Sequence, residues 1–290
     1  MTDRYQRIQI MEKEYPLTVL CQVLAVSRSG YHAWRIRKPS IRQQANDRLL
    51  VAIRQLYQGP ERCYGSPRLT PELKALGHAC SENRVARLMQ RHNVRAQKRK
   101  GFVPCTTDSK HDHPIAPNRL AERPTLTGPN QVWLSDLTYV LTAQGWLYVA
   151  LVMDLWSRRI VGWAMADHLR GELVLAALEM AVTHRRPPKG AIVHSDRGVQ
   201  YACADTRQFL AAQGLISSMS RAGNPYDNAW MESAIGKIKS EVLGESIPAD
   251  RQAAQQQLFV GLECWYNQRR RHSALNYQSP VAFESQFMKN

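Results

Sequence analysis

The chain has 290 residues, 44% of them hydrophobic, which is enough for two packed domains and argues against wholesale disorder. No apolar run reaches the roughly 18 residues of a membrane helix, and the N-terminal "MTDRYQRIQIMEKEYP" lacks a signal-peptide core, so a cytosolic protein is expected. The net charge of +15 is uneven: residues 1–128 hold 23 Lys/Arg against 10 Asp/Glu, residues 129–290 hold 16 against 14.

A positive field concentrated in the N-terminal part points to a polyanion, which in the cytosol means nucleic acid. Residues 17–38 read as a helix, a tight turn and a second short helix that Ser27 or Ser29 caps. The pattern repeats over 66–92. "SPRLTPELKALG" closes at Gly77, and a second helix restarts at Ser81 with Val85, Leu88 and Met89 as its apolar stripe. This is a helix-turn-helix pattern. Arg84, Arg87 and Arg91 on the second helix, followed by Lys98, Arg99 and Lys100, are the expected DNA contacts.

Residues 101–130 hold five prolines and no apolar periodicity, so they read as a linker between a basic helical region (1–100) and a second domain (131–290). The "HDH" at 111–113 has no second ligand cluster nearby and reads as solvated linker. The cysteines at 21, 63, 80, 105, 203 and 264 form no CxxC pair, which argues against a disulfide framework or a zinc finger.

From Gln131 the pattern is α/β. "QVWLSDLTYVL", "GWLYVALVMDLWS" and "RIVGWAMAD" are strands, the first two joined by a tight connection at 143–145. "GELVLAALEMAVTHR" is an amphipathic helix and "AIVHSD" a short buried strand. A helix at 205–213, the strand "LISSMS", a loop at 220–227 and a long helix from 228 follow. Three antiparallel strands, then helix, strand, helix, strand, helix is the order of a ribonuclease H-like fold.

Three acids stand out by position. Asp136 interrupts the first strand, Asp196 ends the fourth, and Glu232 lies one turn into the long helix at the border of a stripe of Met231, Ile235, Ile238 and Val242. A carboxylate inside a strand costs several kcal/mol unless it is paired or metal-bound. Lys239, seven residues after Glu232, shares its helix edge, and Lys237 lies on the other side. Asp227 or Asn228 can cap this helix, and the Gly-Asn-Pro-Tyr run before it reads as a mobile loop. Asp154, at the end of the second strand, is the rival acid, with Arg158 or Arg159 as its alternative partner; His194 reads as a positioning residue.

Asp136 and Asp196 have 59 residues between them, and Asp196 and Glu232 have 35. With "WLSDLTYV", "GWLYVALVMDLWSRRIVGWAM", "HSDRGVQYA", "MSRAGNPYDNAWMESAIGKIKSE" and "YNQRRRHSALNYQSPVAFE", the chain resembles the OrfB-type transposases of bacterial insertion sequences, within the retroviral-integrase-like superfamily. The resemblance spans about residues 15–286 and implies that Asp136, Asp196 and Glu232 are catalytic and metal-binding. It implies two Mg²⁺ or Mn²⁺ ions, cleavage and strand transfer at element ends, and a Lys239 that contacts DNA beside the cleaved phosphate. Arg269, Arg270 and Arg271 in the C-terminal motif join the expected DNA contacts. The partners implied are double-stranded DNA, further copies in a synaptic complex, and an upstream-frame OrfA protein or fusion. An HxxxH…CxxC zinc domain and a heptad run are missing. The competing expectations are an inactive DNA-binding regulator and a structure-selective nuclease on the same fold.

Overall fold

The computed structural model describes residues 2–97, 112–122, 124–221, 225–244 and 246–288. Two compact units part at Ile53/Arg54. The first contains α1 (Thr2–Met11), α2 (Leu17–Val23), α3 (Arg28–Ile36) and most of α4 (Ile41–Leu56). Its small core joins Ile8, Leu20, Cys21 and Tyr31, with Tyr5, Leu17 and Trp34 packed around them. Of the two candidate caps on α3, Ser27 is the one used: its side chain accepts from the Gly30 N–H at 3.1 Å.

The second unit opens with α5 (Ser66–Ala75) and α6 (Glu82–Arg91). Gly77 supplies the left-handed turn between them at φ +86°, and Ser81 caps α6 through the Arg84 N–H. The α5–α6 pair is part of the same unit as the α/β domain because its side chains are tied to the C-terminal segment. Tyr64 packs on Trp265 at 5.7 Å, and its hydroxyl accepts from the Arg271 N–H at 2.9 Å. Glu72 holds the Arg271 guanidinium at 2.7 Å. The second half of the expected linker is also anchored. Leu120 is buried, and the Arg119 N–H donates to Ser218 Oγ at 2.9 Å.

The sheet has the order β3-β2-β1-β4-β5, formed by β1 (Val132–Thr142), β2 (Gly145–Asp154), β3 (Ile160–Ala166), β4 (Ile192–Ser195) and β5 (Ile216–Met219). The first three strands are antiparallel; β4 and β5 join in parallel through crossovers over α7 (Gly171–Arg185), α8 (Val199–Ala202) and α9 (Ala204–Ala212). Alternation along β1 divides two cores. Val132, Leu134 and Val140 face α10 (Ala229–Ile238) and α11 (Arg251–Val260) through Met231, Ile235, Ile238 and Leu258. Trp133 faces the other way, toward Leu173, Val174, Ala177 and Leu178 of α7. The architecture is the expected ribonuclease H-like one, closed by a last helix, α12 (Pro280–Phe287). Among the described residues no helix is long and apolar enough to cross a membrane.

Gly162 marks where β3 and α7 press closest. A Cβ there would collide with the Ala177 carbonyl and lie 2.8 Å from Ala181 Cβ, both backbone-fixed. Gly162→Ala is expected to destabilise the protein by about 1–3 kcal/mol, as overpacking does. Urea denaturation measures it, and an unchanged midpoint would mean that this layer is free to move apart.

Candidate active site

Sheet register decides which acids meet. β1 and β4 run parallel with Leu134 beside His194, so two residues further on Asp136, within β1, and Asp196, just past the end of β4, stand at the same level. Asp136 shares the parity of Val132 and Leu134 and therefore points to the α10 face. Glu232 comes from α10 itself, exposed beside buried Met231 and Ile235. Three elements thus bring three carboxylates toward one end of the β1–β4 seam.

Electrostatics report the meeting. The Asp136 carboxyl is pushed up to about 8, first by burial, then by the charge of Asp196 and that of Glu232; the Leu137 N–H and Lys239 act in the opposite sense. Burial also raises Glu232. Asp196 is held by the Gly198 N–H, which donates to it at 2.9 Å. Among the described residues no three His, Cys, Asp or Glu side chains converge on one ion-sized point, so the triad is an open neighbourhood and not a closed cage.

The surroundings hold these acids in place. Tyr201 and Ser135 hydroxyls lie 3.0 Å apart behind Asp136, and burial with the charges of Asp136 and Asp196 keeps the Tyr201 phenol protonated. Sequence reasoning passed over Tyr201, although it stands inside the "HSDRGVQYA" segment that carries Asp196. His194 has the positioning role expected. Its ring lies 2.8 Å from Ser218 Oγ and 3.1 Å from Ser220 Oγ, and burial lowers it to about 4, so it is neutral near pH 7.

Other expectations are corrected. Asp154 pairs with neither Arg158 nor Arg159. Its oxygens accept from the Asn130 N–H at 2.6 Å and from Ser157, closing the β2–β3 turn, while Arg159 binds Glu284. Neither Asp227 nor Asn228 caps α10 with its side chain. Asp227 instead ties the ends of the preceding loop, accepting from the Arg221 N–H and guanidinium and from Asn118 Nδ2. That ion pair holds its carboxyl down at about 2. The expected mobile run at 223–226 falls largely outside the described residues.

The α10 helix continues past Ile238 into a π-turn, Lys239–Leu243. β4 pairs with β1 only over Val132–Leu134, so the rest of β1 has an open edge there. The Lys239 ammonium lies 5.1 Å from the Tyr139 ring centroid at that edge, and its charge reaches Asp136. Lys237, on the other side of the helix, is half-buried and donates to Ser233 Oγ at 2.7 Å.

The arginine candidates separate. Arg87 and Arg91 are exposed on α6, whereas Arg84 is half-buried and donates to the Ala79 carbonyl. Arg269 is exposed. Arg270 is 1% exposed and grips Glu241 with two hydrogen bonds, so it is internal structure and no surface contact. Arg271 is half-buried against Glu72. Lys98, Arg99 and Lys100 lie outside the described residues, as does His111; Asp112 and His113 are exposed.

The chain matches the integrase core domain family over residues 127–225 and again, in a second form, over 213–280; residues 44–102 match an HTH-like domain. It is 42% identical over 268 residues to the insertion element IS600 31 kDa protein of Shigella sonnei, covering 92% of this chain and 98% of that one. It is 37% identical over 284 residues to transposase InsF for insertion sequence IS3A of Escherichia coli, covering 97% and 98%. The HTLV-2 integrase catalytic core domain in complex with magnesium aligns at 15% identity and a TM-score of 0.43, over 55% of this chain and 98% of that one.

Proposed function

We propose a catalytic assignment for this chain, which belongs to the insertion-sequence transposases that carry an integrase core: Asp136, Asp196 and Glu232 are its metal-binding carboxylates. The chain is an enzyme of DNA transposition, a polynucleotidyl transferase that cleaves and joins DNA at element ends. One observation supports the assignment most: two acids stand at matched register on the β1–β4 seam with a third on the facing helix, and burial with the charges of Asp196 and Glu232 raises the proton affinity of Asp136. Three oxygen-only donors whose charges repel fit a hard divalent cation. Two Mg²⁺ or Mn²⁺ ions, when bound, would acidify the attacking water or 3′-hydroxyl and stabilise the leaving oxygen.

The chain's own residues supply position. The Gly198 N–H orients Asp196, and the Ser135–Tyr201 contact fills the space behind Asp136. Glu232, on the exposed edge of α10, is the acid with room to move onto the other two. His194 stays neutral and pinned between two serines, so the proton of the nucleophile does not go to it. Lys239, at the open edge of β1, reaches a DNA phosphate beside the scissile bond. Strand transfer on an element-end duplex is expected in Mg²⁺ and lost in EDTA; activity that survives EDTA would exclude the assignment.

Double-stranded DNA is the substrate, a second copy of the chain completes the synaptic complex, and an upstream-frame product is the remaining partner. The exposed arginines of α6 are the DNA-binding face of the HTH-like region. With Arg84 half-buried and only Arg87 and Arg91 of the three exposed, removing Arg84, Arg87 and Arg91 together should flatten the log affinity–log salt slope by about 2 and not 3, at ~0.9 per phosphate contact. A fluorescence-anisotropy salt titration of the full chain measures this. An unchanged slope would return these charges to a solvated face.

A further inference from the structure

The charges of Arg158, Lys237, Arg68 and buried Arg270, all in the second unit, reach one neighbourhood around a single gripped carboxylate. Trp230, Ser233 and Lys237 line the flank of α10 opposite Glu232. Arg158, from the β2–β3 turn, lays its guanidinium over the Trp230 ring at 5.7 Å. Its backbone is left-handed, φ +61°, an uncommon conformation for a residue with a side chain. Arg68 of α5 stands over Tyr64 at 5.5 Å and 3.8 Å from Glu241, with its side chain 24% exposed. Arg270 takes both Glu241 oxygens, at 2.6 and 2.7 Å, and lies 3.3 Å from His272 Nε2.

Glu241 is gripped by Arg270 and stands 3.8 Å from Arg68. Among the described residues no carboxylate lies within ion-pair distance of Arg158 or Lys237. Asp154 also acts on Arg158, but its oxygens accept from Asn130 and Ser157. The surplus positive charge is visible in its neighbours. Burial, then Arg270, Arg68 and Arg158, hold Lys237 down at about 8, with Glu241 opposing. Burial and the same four cations hold His272 at about 2. Cations kept close together out of bulk water without counter-charge are costly, and an anion held there recovers that cost.

We infer that Arg158, Lys237 and Arg68 form a phosphate site that takes a backbone phosphodiester of the bound DNA on the flank of α10 opposite Glu232. Two guanidinium forks and one ammonium from three separate elements suit a tetrahedral oxyanion, which accepts from several directions at once. The inference rests on the chain acting on DNA. It places a second stretch of backbone across the helix that carries Glu232, so one helix would be fixed to DNA on both flanks.

The test uses the full chain in EDTA, with two arms. Thermal unfolding is compared in sodium phosphate and sodium chloride at equal ionic strength, and duplex DNA binding is titrated with salt. Phosphate is expected to raise the Tm of the wild type but not of Lys237→Met or Arg158→Gln. Each substitution is expected to weaken DNA binding several-fold and to flatten the salt slope by about 0.9. Lys237→Arg should keep both responses. Lys237 makes one hydrogen bond to a serine, so Lys237→Met tests the site even if Arg158→Gln fails to fold. No phosphate-specific stabilisation would overturn the inference. Phosphate stabilisation with unchanged DNA affinity would also overturn it, by assigning the site to a free anion. Neither arm needs metal or turnover, so the site can fail while metal-dependent strand transfer stands, and the reverse.

Discussion

Strand transfer is expected to fall to background in Asp136→Asn, Asp196→Asn and Glu232→Gln, while duplex affinity should stay within a few-fold of the wild type. The loss should exceed the ~10–100-fold that follows removal of a metal's outer partner, because each change deletes a direct oxygen donor. Asp136 adds a signature that a merely structural acid lacks. Its folded carboxyl sits at about 8, against roughly 3.9 in an unfolded chain. The folded state therefore binds this proton more tightly. Its contribution to stability is complete below about pH 4 and is lost as pH rises through 8. Asp136→Asn removes that dependence, so metal-free protein at pH 8.5 should be at least as stable as the wild type although it is inactive. Divalent ions must displace the same proton, so their affinity in the wild type should climb between pH 6 and 8. Urea titrations at the two pH values, without metal, read the first effect. Near-wild-type strand transfer by Asp196→Asn in Mg²⁺ would sink the triad.

The positions of Asp136 and Glu232 were legible from short-range regularities, while their grouping with Asp196 came from the 59- and 35-residue spacing and the family resemblance. Parity along β1 places Asp136 on the α10 face, and helical spacing puts Glu232 at the edge of the Met231–Ile235–Ile238 stripe. Both can be read within a dozen residues. What failed depended on contacts far apart in the chain. "RRR" at 269–271 reads as one basic run, yet Arg270 is paired with Glu241 and Arg271 with Glu72, 199 residues earlier. Nothing near Lys237 in the sequence announces that the charges of Arg270, Arg68 and Arg158 act on it. The docking of the Pro-rich segment was hidden for a related reason. Low periodicity marks a segment without helix or strand, and it cannot show that Asn118, Arg119 and Leu120 dock on the sheet and the loop before α10. Asp227 had the residue type of a cap, but an arginine six residues away claimed it.

Glu241→Gln should be the most destabilising single change in the second unit outside its apolar cores. Glu241 is 5% exposed and Arg270 1%, and two short hydrogen bonds join them. Breaking one side of a buried pair costs about 3–5 kcal/mol, since the survivor keeps its charge without its partner. The two sides are not equivalent here. Arg270→Met leaves Glu241 with Arg68 at 3.8 Å, which softens the loss. Glu241→Gln leaves Arg270 buried without its carboxylate and with the charges of Lys237 and Arg68 opposing it. The expected order of stability is wild type, Arg270→Met, then Glu241→Gln, with the double variant recovering much of the loss because no orphan charge remains. Equilibrium urea denaturation of the four proteins gives the coupling directly. Additive losses in the double variant would mean that the two side chains act independently. A mild Glu241→Gln would mean that another anion already shields Arg270. If the phosphate site beside it is real, adding phosphate should rescue Glu241→Gln more than the wild type, since the cluster's one gripped carboxylate would be gone.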